Sequence, residues 1–136
     1  MGVIFDTSVL VFLERGSHRL EGLGKGREEE PFGISVVTVS ELLHGVHRAD
    51  SEKRRLKRSA FVEKLIQSFP VYAFDLNAAR IYARIWANLV KKGTIIGAHD
   101  LMIASTAIAL GFSVVTSDVR DYGRVKELSL ERFVPE

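Results

Sequence analysis

The 136-residue chain contains no cysteine. Disulfide scaffolds, thiolate-ligated zinc and thiol nucleophiles are therefore excluded together, and the absence agrees with a reducing, cytoplasmic setting. Long apolar runs are lacking too. The most apolar stretch, Ile95 to Leu110, is interrupted by His99 and Asp100 and is too short to cross a bilayer. The first residues have neither the basic flank nor the apolar length of a signal peptide, and Asp6 stands where a myristoylation motif wants Ser or Thr. No membrane association is expected. Excess charge of either sign is scarce: 19 basic against 17 acidic residues leave +2, so the chain is not a polycation. Repeats and low-complexity segments are absent as well.

What is present suits a globular fold. Apolar residues make up 46% and charged residues 26%, which rules out a disordered chain. The length fits a single domain, 1–136, able to bury a core without staples. Val3-Ile4-Phe5, Gly33 to Val37, Pro70 to Phe74 and Ser113 to Thr116 read as strands, with a last short one over Leu130 to Val134. Helices are expected over Thr7–Glu14, Thr38–Arg48, Ser51–Ser68, Asn77–Lys92 and Asp100–Leu110. Gly93 and Gly111 act as stop signals, and Gly16 to Pro31 reads as a loop with at most a poorly formed helix. Strands alternate with helices, and three strands are continuous apolar runs. That pattern predicts an α/β domain of three layers, a small parallel β-sheet flanked by helices.

Four acids fall at comparable places in this scheme. Asp6 follows the first strand, Glu41 lies one turn into the helix after the second, Asp118 lies two residues beyond the fourth, and Asp100 opens a helix after the loop Gly93 to Gly97. Ligands of open α/β sheets bind at the carboxyl ends of strands, so these acids can converge. Each has a local explanation: Asp6 as a helix N-cap, Thr38-Val39-Ser40-Glu41 as a capping box, Asp100 as a first-turn acid, Asp118 as a turn residue. Capping alone, however, does not favour carboxylates at all four places, since Ser, Thr and Asn cap equally well.

Converging carboxylates repel one another unless a cation or a proton intervenes. Mg²⁺ or Mn²⁺, hard ions that prefer oxygen ligands, relieve that repulsion. Such an ion acidifies a water for attack and offsets charge on a phosphate, which is the chemistry of phosphodiester hydrolysis.

The same residues resemble the PIN-domain nucleases, and within them the VapC toxins of prokaryotic toxin–antitoxin pairs. Phe5-Asp6-Thr7-Ser8-Val9-Leu10 is similar to the opening motif of that family. Thr38 to Leu42 with Gly45 is similar to the second, Gly93-Thr94 through Gly97-Ala98-His99-Asp100 to the third, and Val115 to Tyr122 to the fourth. The resemblance spans essentially the whole chain. It implies that Asp6, Glu41, Asp100 and Asp118 hold the metal, Mg²⁺ or Mn²⁺, and carry catalysis, with Thr7, Ser8, Thr116 and Asp121 in support. It further implies an endoribonuclease acting on RNA, a homodimer and a VapB-type antitoxin whose tail lays a basic side chain over the acidic site. Many relatives have Asn in place of Asp118 and an acid three residues later. Here both Asp118 and Asp121 are present. Asp118 is favoured as nearer the strand end, which leaves Asp121 as a water-bridged ligand or a surface residue balancing Arg120.

Other features carry weaker signals. His44 and His47 with Glu41 lack a metalloprotease pattern. Lys91, Lys92 and His99 are candidates for contact with RNA phosphates, while the run Lys53, Arg54, Arg55, Lys57, Arg58 reads first as a solvated helix face. Leu56, Phe61, Leu65 and Ile66 form one apolar stripe and Ile81, Tyr82, Ile85, Trp86 and Leu89 another, mostly core, with Tyr82 and Trp86 available to a partner. Two rival readings remain, a Mg²⁺-dependent phosphatase or phospho-acceptor domain and a non-catalytic RNA-binding PIN domain. The first wants a second acid beside the leading Asp, where Thr7 and Ser8 stand; the second usually loses its carboxylates, and here all four are kept.

Overall fold

Val3, Ile4 and Phe5 form the central strand, and all three are buried because the sheet is covered on both faces. In the computed structural model, which describes residues 1–16 and 18–135, the elements follow in order. They are β1 (Val3–Phe5), α1 (Thr7–Arg15), a 3₁₀ turn (Leu20–Gly24), β2 (Phe32–Ser35), α2 (Val36–His47), α3 (Glu52–Ser68) and β3 (Val71–Tyr72). There follow α4 (Leu76–Lys91), α5 (Ala98–Leu110), β4 (Ser113–Thr116), α6 (Val119–Tyr122) and β5 (Leu130–Arg132). Ser17, part of the segment expected to be a loop, lies outside the described residues.

The strands pair in the order β3-β2-β1-β4-β5, all parallel. Side chains alternate across a strand, so Val3 and Phe5 enter one core while Ile4 enters the other. The first core joins them to Val9, Leu10 and Leu13 of α1, Val39, Leu42 and Val46 of α2, and Val62 and Leu65 of α3. The second joins Ile4 and Val114 to Ile85 and Leu89 of α4, Leu101, Ile103, Ala104 and Ala107 of α5, and Tyr122 of α6. This is the three-layer α/β architecture expected from the alternating strands and helices. The chain winds outward from β1 through β2 to β3, then returns to place β4 on the other side of β1. The carboxyl ends of β1 and β4 therefore flank a topological switch point, where a crevice forms.

Several local expectations are corrected. β2 ends at Ser35 rather than at residue 37, because the Ser35 hydroxyl accepts from Val37 N (3.0 Å) and caps α2. Thr38 is thus no capping residue; it lies fully buried inside α2. β3 contracts to two residues and β5 to three. The segment after residue 16 does contain an ordered turn, whose Leu20 and Leu23 close the end of the first core. On α3 the stripe includes fully buried Val62, whereas Leu56 points to solvent at 55% exposure. Gly93 (φ 69°) and Gly111 (φ 72°) end α4 and α5 in left-handed conformations that a side chain would strain.

Candidate active site

Asp6 leaves β1 and is 4% exposed, with its side chain deep in the switch-point crevice. Its Oδ2 accepts from Ser8 Oγ (2.7 Å), Thr116 Oγ1 (2.8 Å) and, more weakly, Ser8 N (3.4 Å). Those two hydroxyls also accept from backbone amides. Ser8 Oγ itself accepts from Ser117 N (3.2 Å), and Thr116 Oγ1 accepts from Asp118 N (2.9 Å). Each hydroxyl has a single proton, and the shorter contact for each is Asp6 Oδ2 rather than the other hydroxyl, 3.4 Å away. The loop between β4 and α6 thereby orients a carboxylate on β1 through two relaying side chains. Asp6 does cap α1, as its local explanation had it, but that bond is the longest of the set.

Asp100 sits in the first turn of α5, and Asp118 caps α6 by accepting from Asp121 N (3.3 Å). One carboxylate oxygen each from Asp100, Asp118 and Asp121 lie within 4.8 Å of one another. Asp121 thus stands with the other two acids while its side chain stays 39% exposed. Its cationic partner is Arg124 (3.5 Å) rather than Arg120, and Arg124 is held in turn by donating to Ile95 O (2.5 Å). Glu41 is not one of this trio. Thr7 Oγ1 donates to its Oε1 (2.6 Å) and lies 2.9 Å from the buried Thr38 Oγ1, while His99 Nδ1 lies 3.4 Å from its Oε2. His44 and His47 are exposed and take no part in the cluster.

The electrostatic consequence falls on Asp100. Burial, and then the charges of Asp6, Glu41 and Asp118, push its carboxyl from the ordinary 3.8 up to about 6, against a small opposing pull from the Tyr122 hydroxyl. Tyr122 was not singled out from the sequence, though it closes the fourth motif. Its ring is fully buried in the second core, and its hydroxyl donates to Asp6 Oδ1 (2.7 Å) and lies 3.4 Å from Asp100 Oδ1. Burial first, and then Asp6 and Asp100, raise its phenol far above the ordinary value, so it remains a proton donor. The donor set is made only of oxygen, half-buried and mutually repelling. It fits a hard divalent cation such as Mg²⁺ or Mn²⁺ and does not fit a softer ion that seeks nitrogen or sulfur.

The candidate RNA-contacting lysines diverge. Lys92 lines a groove of ≈ 170 Å³ with Arg84, Asn88, Arg124, Lys126 and Glu127, whereas Lys91, also exposed, does not share it. Glu127 pairs with Arg84 (2.8 Å), which leaves the groove positive on balance and joined to the acidic cluster through Arg124. A second groove of ≈ 390 Å³ opens beside Glu41, where Arg15, Arg48 and Arg58 face Glu14 and Asp50.

Comparison with known proteins agrees with this geometry. The PIN domain family matches residues 3–128, so the chain belongs to the PIN-domain family. Within it the resemblance is to VapC. The chain is 37% identical over 133 residues to Ribonuclease VapC1 of Rickettsia felis, covering 96% of this chain and 95% of the relative. It is 36% identical over 98 residues to the tRNA(fMet)-specific endonuclease VapC of Salmonella typhimurium, 72% of each. Among solved structures, the Rickettsia felis VapBC2 complex bound to a promoter DNA fragment superposes with a TM-score of 0.86 at 25% identity, over 98% of this chain and 100% of that one.

Proposed function

We propose that this chain, folded as a single domain over 1–136, is a divalent-metal-dependent endoribonuclease and the toxin half of a type II toxin–antitoxin pair. The observation that carries this reading is the convergence of Asp100, Asp118 and Asp121 at the switch point, with the Asp100 carboxyl raised to about 6 by burial and then by the charges of Asp6, Glu41 and Asp118. Asp6, Asp100 and Asp118 would hold Mg²⁺ or Mn²⁺, with Glu41 and Asp121 at the margin. Such an ion, when bound, acidifies a water and offsets charge on the phosphate. The side chains supply the rest. Ser8 and Thr116 hold Asp6 in one orientation, Thr7 fixes Glu41, and the groove of Lys92, Arg124 and Lys126 offers cations to the phosphates of an RNA strand leaving the site. In-line attack by water would leave 5′-phosphate and 3′-hydroxyl ends.

The phosphatase reading loses support because Asp6, the leading acid, has one oxygen saturated by donors and is almost wholly buried, a poor nucleophile. Partners follow from the relatives. A VapB-type antitoxin is supported by the likeness to VapBC complexes, and the groove beside Glu41 is where its tail would bring a basic side chain to the acids. A homodimer is supported by Trp86 and Val90, one turn apart on α4 and 56% and 64% exposed, beside Tyr82. No helix among the described residues is long and apolar enough to cross a membrane.

The test is cleavage by the purified, antitoxin-free chain with Mg²⁺ or Mn²⁺, with and without EDTA. Transfer RNA is the first substrate to try, since a 36%-identical relative is named for it. Discrete cuts with 5′-phosphate ends that EDTA abolishes are expected. Cuts that persist in EDTA would remove the metal from the reading.

A further inference from the structure

The two oxygens of Asp6 are held very differently. Oδ2 accepts from two hydroxyls and an amide, all within residues 8 and 116. Oδ1 accepts only from Tyr122 Oη among the described residues, at 2.7 Å. A carboxylate oxygen has about two acceptor sites, so Oδ2 is full and Oδ1 keeps one lone pair free. The Tyr122 hydroxyl also lies 3.4 Å from Asp100 Oδ1, so one phenol oxygen is within reach of both acids. The phenol is anchored from behind. Its ring is 0% exposed and packs in the second core with residues such as Leu101 and Val125. A phenylalanine would fill the same core; the hydroxyl adds nothing to apolar packing, and a buried hydroxyl is retained where it finds a partner.

We infer that Tyr122 is a positioning residue for the metal site: its hydroxyl sets Asp6 Oδ1, opposite Asp100, as the oxygen that faces the cation. This rests on the metal-site reading above and adds to it which atom of Asp6 binds and which core residue fixes that atom. Tyr122 itself does not coordinate. Its proton stays on the phenol oxygen and occupies one acceptor site of Oδ1, so the second site alone remains for an ion. Without the hydroxyl, Asp6 can rock about the Oδ2 contacts and nothing uncharged stands between the two carboxylates. Outer-shell donors of this kind change metal affinity by about 10–100-fold when removed.

The experiment is calorimetric titration of the full chain with Mn²⁺ at neutral pH, comparing wild type, Tyr122→Phe and Val125→Ala. Val125 is buried in the same core, so its truncation reports what loosening that core does to binding. The expected result is a roughly tenfold or greater loss of Mn²⁺ affinity in Tyr122→Phe with Val125→Ala near wild type. Wild-type affinity in folded Tyr122→Phe overturns the inference and leaves the metal reading intact. An equal loss in Val125→Ala also overturns it, since core packing then explains the effect. No binding by wild type removes the metal reading and this inference together. Should Tyr122→Phe not fold, the ¹³Cζ resonance of Tyr122 in labelled wild type decides during a Mg²⁺ titration. A shift that tracks saturation supports the assignment, and an unmoved signal at saturation overturns it.

Discussion

The basic run from Lys53 to Arg58 and the acidic cluster around Asp100 each gather five like charges, and their arrangements are opposite. The basic residues are close together in sequence, yet α3 turns them around an exposed cylinder, where two of them pair with acids. Arg54 pairs with Asp50 (2.9 Å), Arg55 with Glu52, and Arg58 donates to Gly45 O (2.9 Å). The acids run from residue 6 to residue 121, yet the parallel sheet brings them into one half-buried crevice with Arg124 as the cation that touches them. Charge density along a sequence and charge density in space are thus different quantities. Only the second raises the pKa of a carboxyl, because only there does burial accompany repulsion.

If the acids work as one site, removing a single charge should cost far more than removing any one cation of α3. Asp6→Asn is the sharpest case. The amide oxygen can replace Oδ2 and accept from Ser8 and Thr116, while the NH₂ group takes the place of Oδ1, where the Tyr122 hydroxyl can turn to accept. Folding should therefore survive, with a donor facing the cation in place of an acceptor. Since loss of an outer-shell partner already costs about 10–100-fold, RNA cleavage by this variant should fall by more than about 100-fold with RNA binding kept. Single-turnover cleavage and a binding assay read both quantities. Cleavage at the wild-type rate means that Asp6 is not a ligand.

Burial and repulsion together give Asp100 a pH signature with a definite sign. The Asp100 carboxyl is near 6 in the folded, metal-free chain and near 3.8 when unfolded, so the folded state binds more protons between those values. Its contribution to stability is fully present below about 4 and is lost as pH rises through about 6. Asp100→Asn removes that dependence. In EDTA the variant should match wild type near pH 4 and melt higher above pH 7. The gain should be on the order of 1–2 kcal/mol, below the full linkage value because Asp100 is only half-buried. Metal reverses the order, since binding must displace the proton. Mn²⁺ affinity of wild type should fall by about tenfold per pH unit below 6. Thermal melts of both proteins at pH 4 and 7.5, with EDTA and with Mn²⁺, check each statement. A variant less stable than wild type at pH 7.5 in EDTA contradicts the repulsion.

How far the sequence reveals this site follows from the range of the interactions involved. Continuous apolar runs announce a buried parallel sheet because burial on both faces acts residue by residue, and Asp6, Asp100 and Asp118 are legible as acids at the ends of such elements. The order of the strands is not written in any local pattern, so the switch point beside β1 emerges only in three dimensions. Thr38 resembles a cap because Thr-x-x-Glu satisfies the local rule, but Ser35 three residues earlier caps the Val37 amide, so the helix is already under way at Thr38. α6 is four residues long, too short for any periodicity to show. Tyr122 is the instructive miss. An aromatic residue in such a place reads as core, which its ring is, and only a partner 116 residues away gives the hydroxyl a purpose.

The smallest expected effect concerns the basic run itself, and it bears most directly on the contrast between the two clusters. Lys53 and Lys57 are exposed on α3, and the arginines of the run are paired with carboxylates or a backbone carbonyl. An exposed pair such as Arg54–Asp50 contributes roughly 0.2–1 kcal/mol, so Arg54→Ala should shift the melting temperature only slightly. A Lys53→Glu/Lys57→Glu double variant should leave both cleavage rate and salt dependence nearly unchanged, because neither lysine lies on the groove that holds Lys92, Arg124 and Lys126. Removing one cation from the phosphates of single-stranded RNA lowers the slope of log affinity against log salt by about 0.7. That slope thus separates the two regions. Lys92→Glu/Lys126→Glu should lower it by more than about one, and the α3 pair should not move it. If the α3 pair lowers the slope instead, the contiguous charge is an RNA track after all, and pairing within the helix does not silence it.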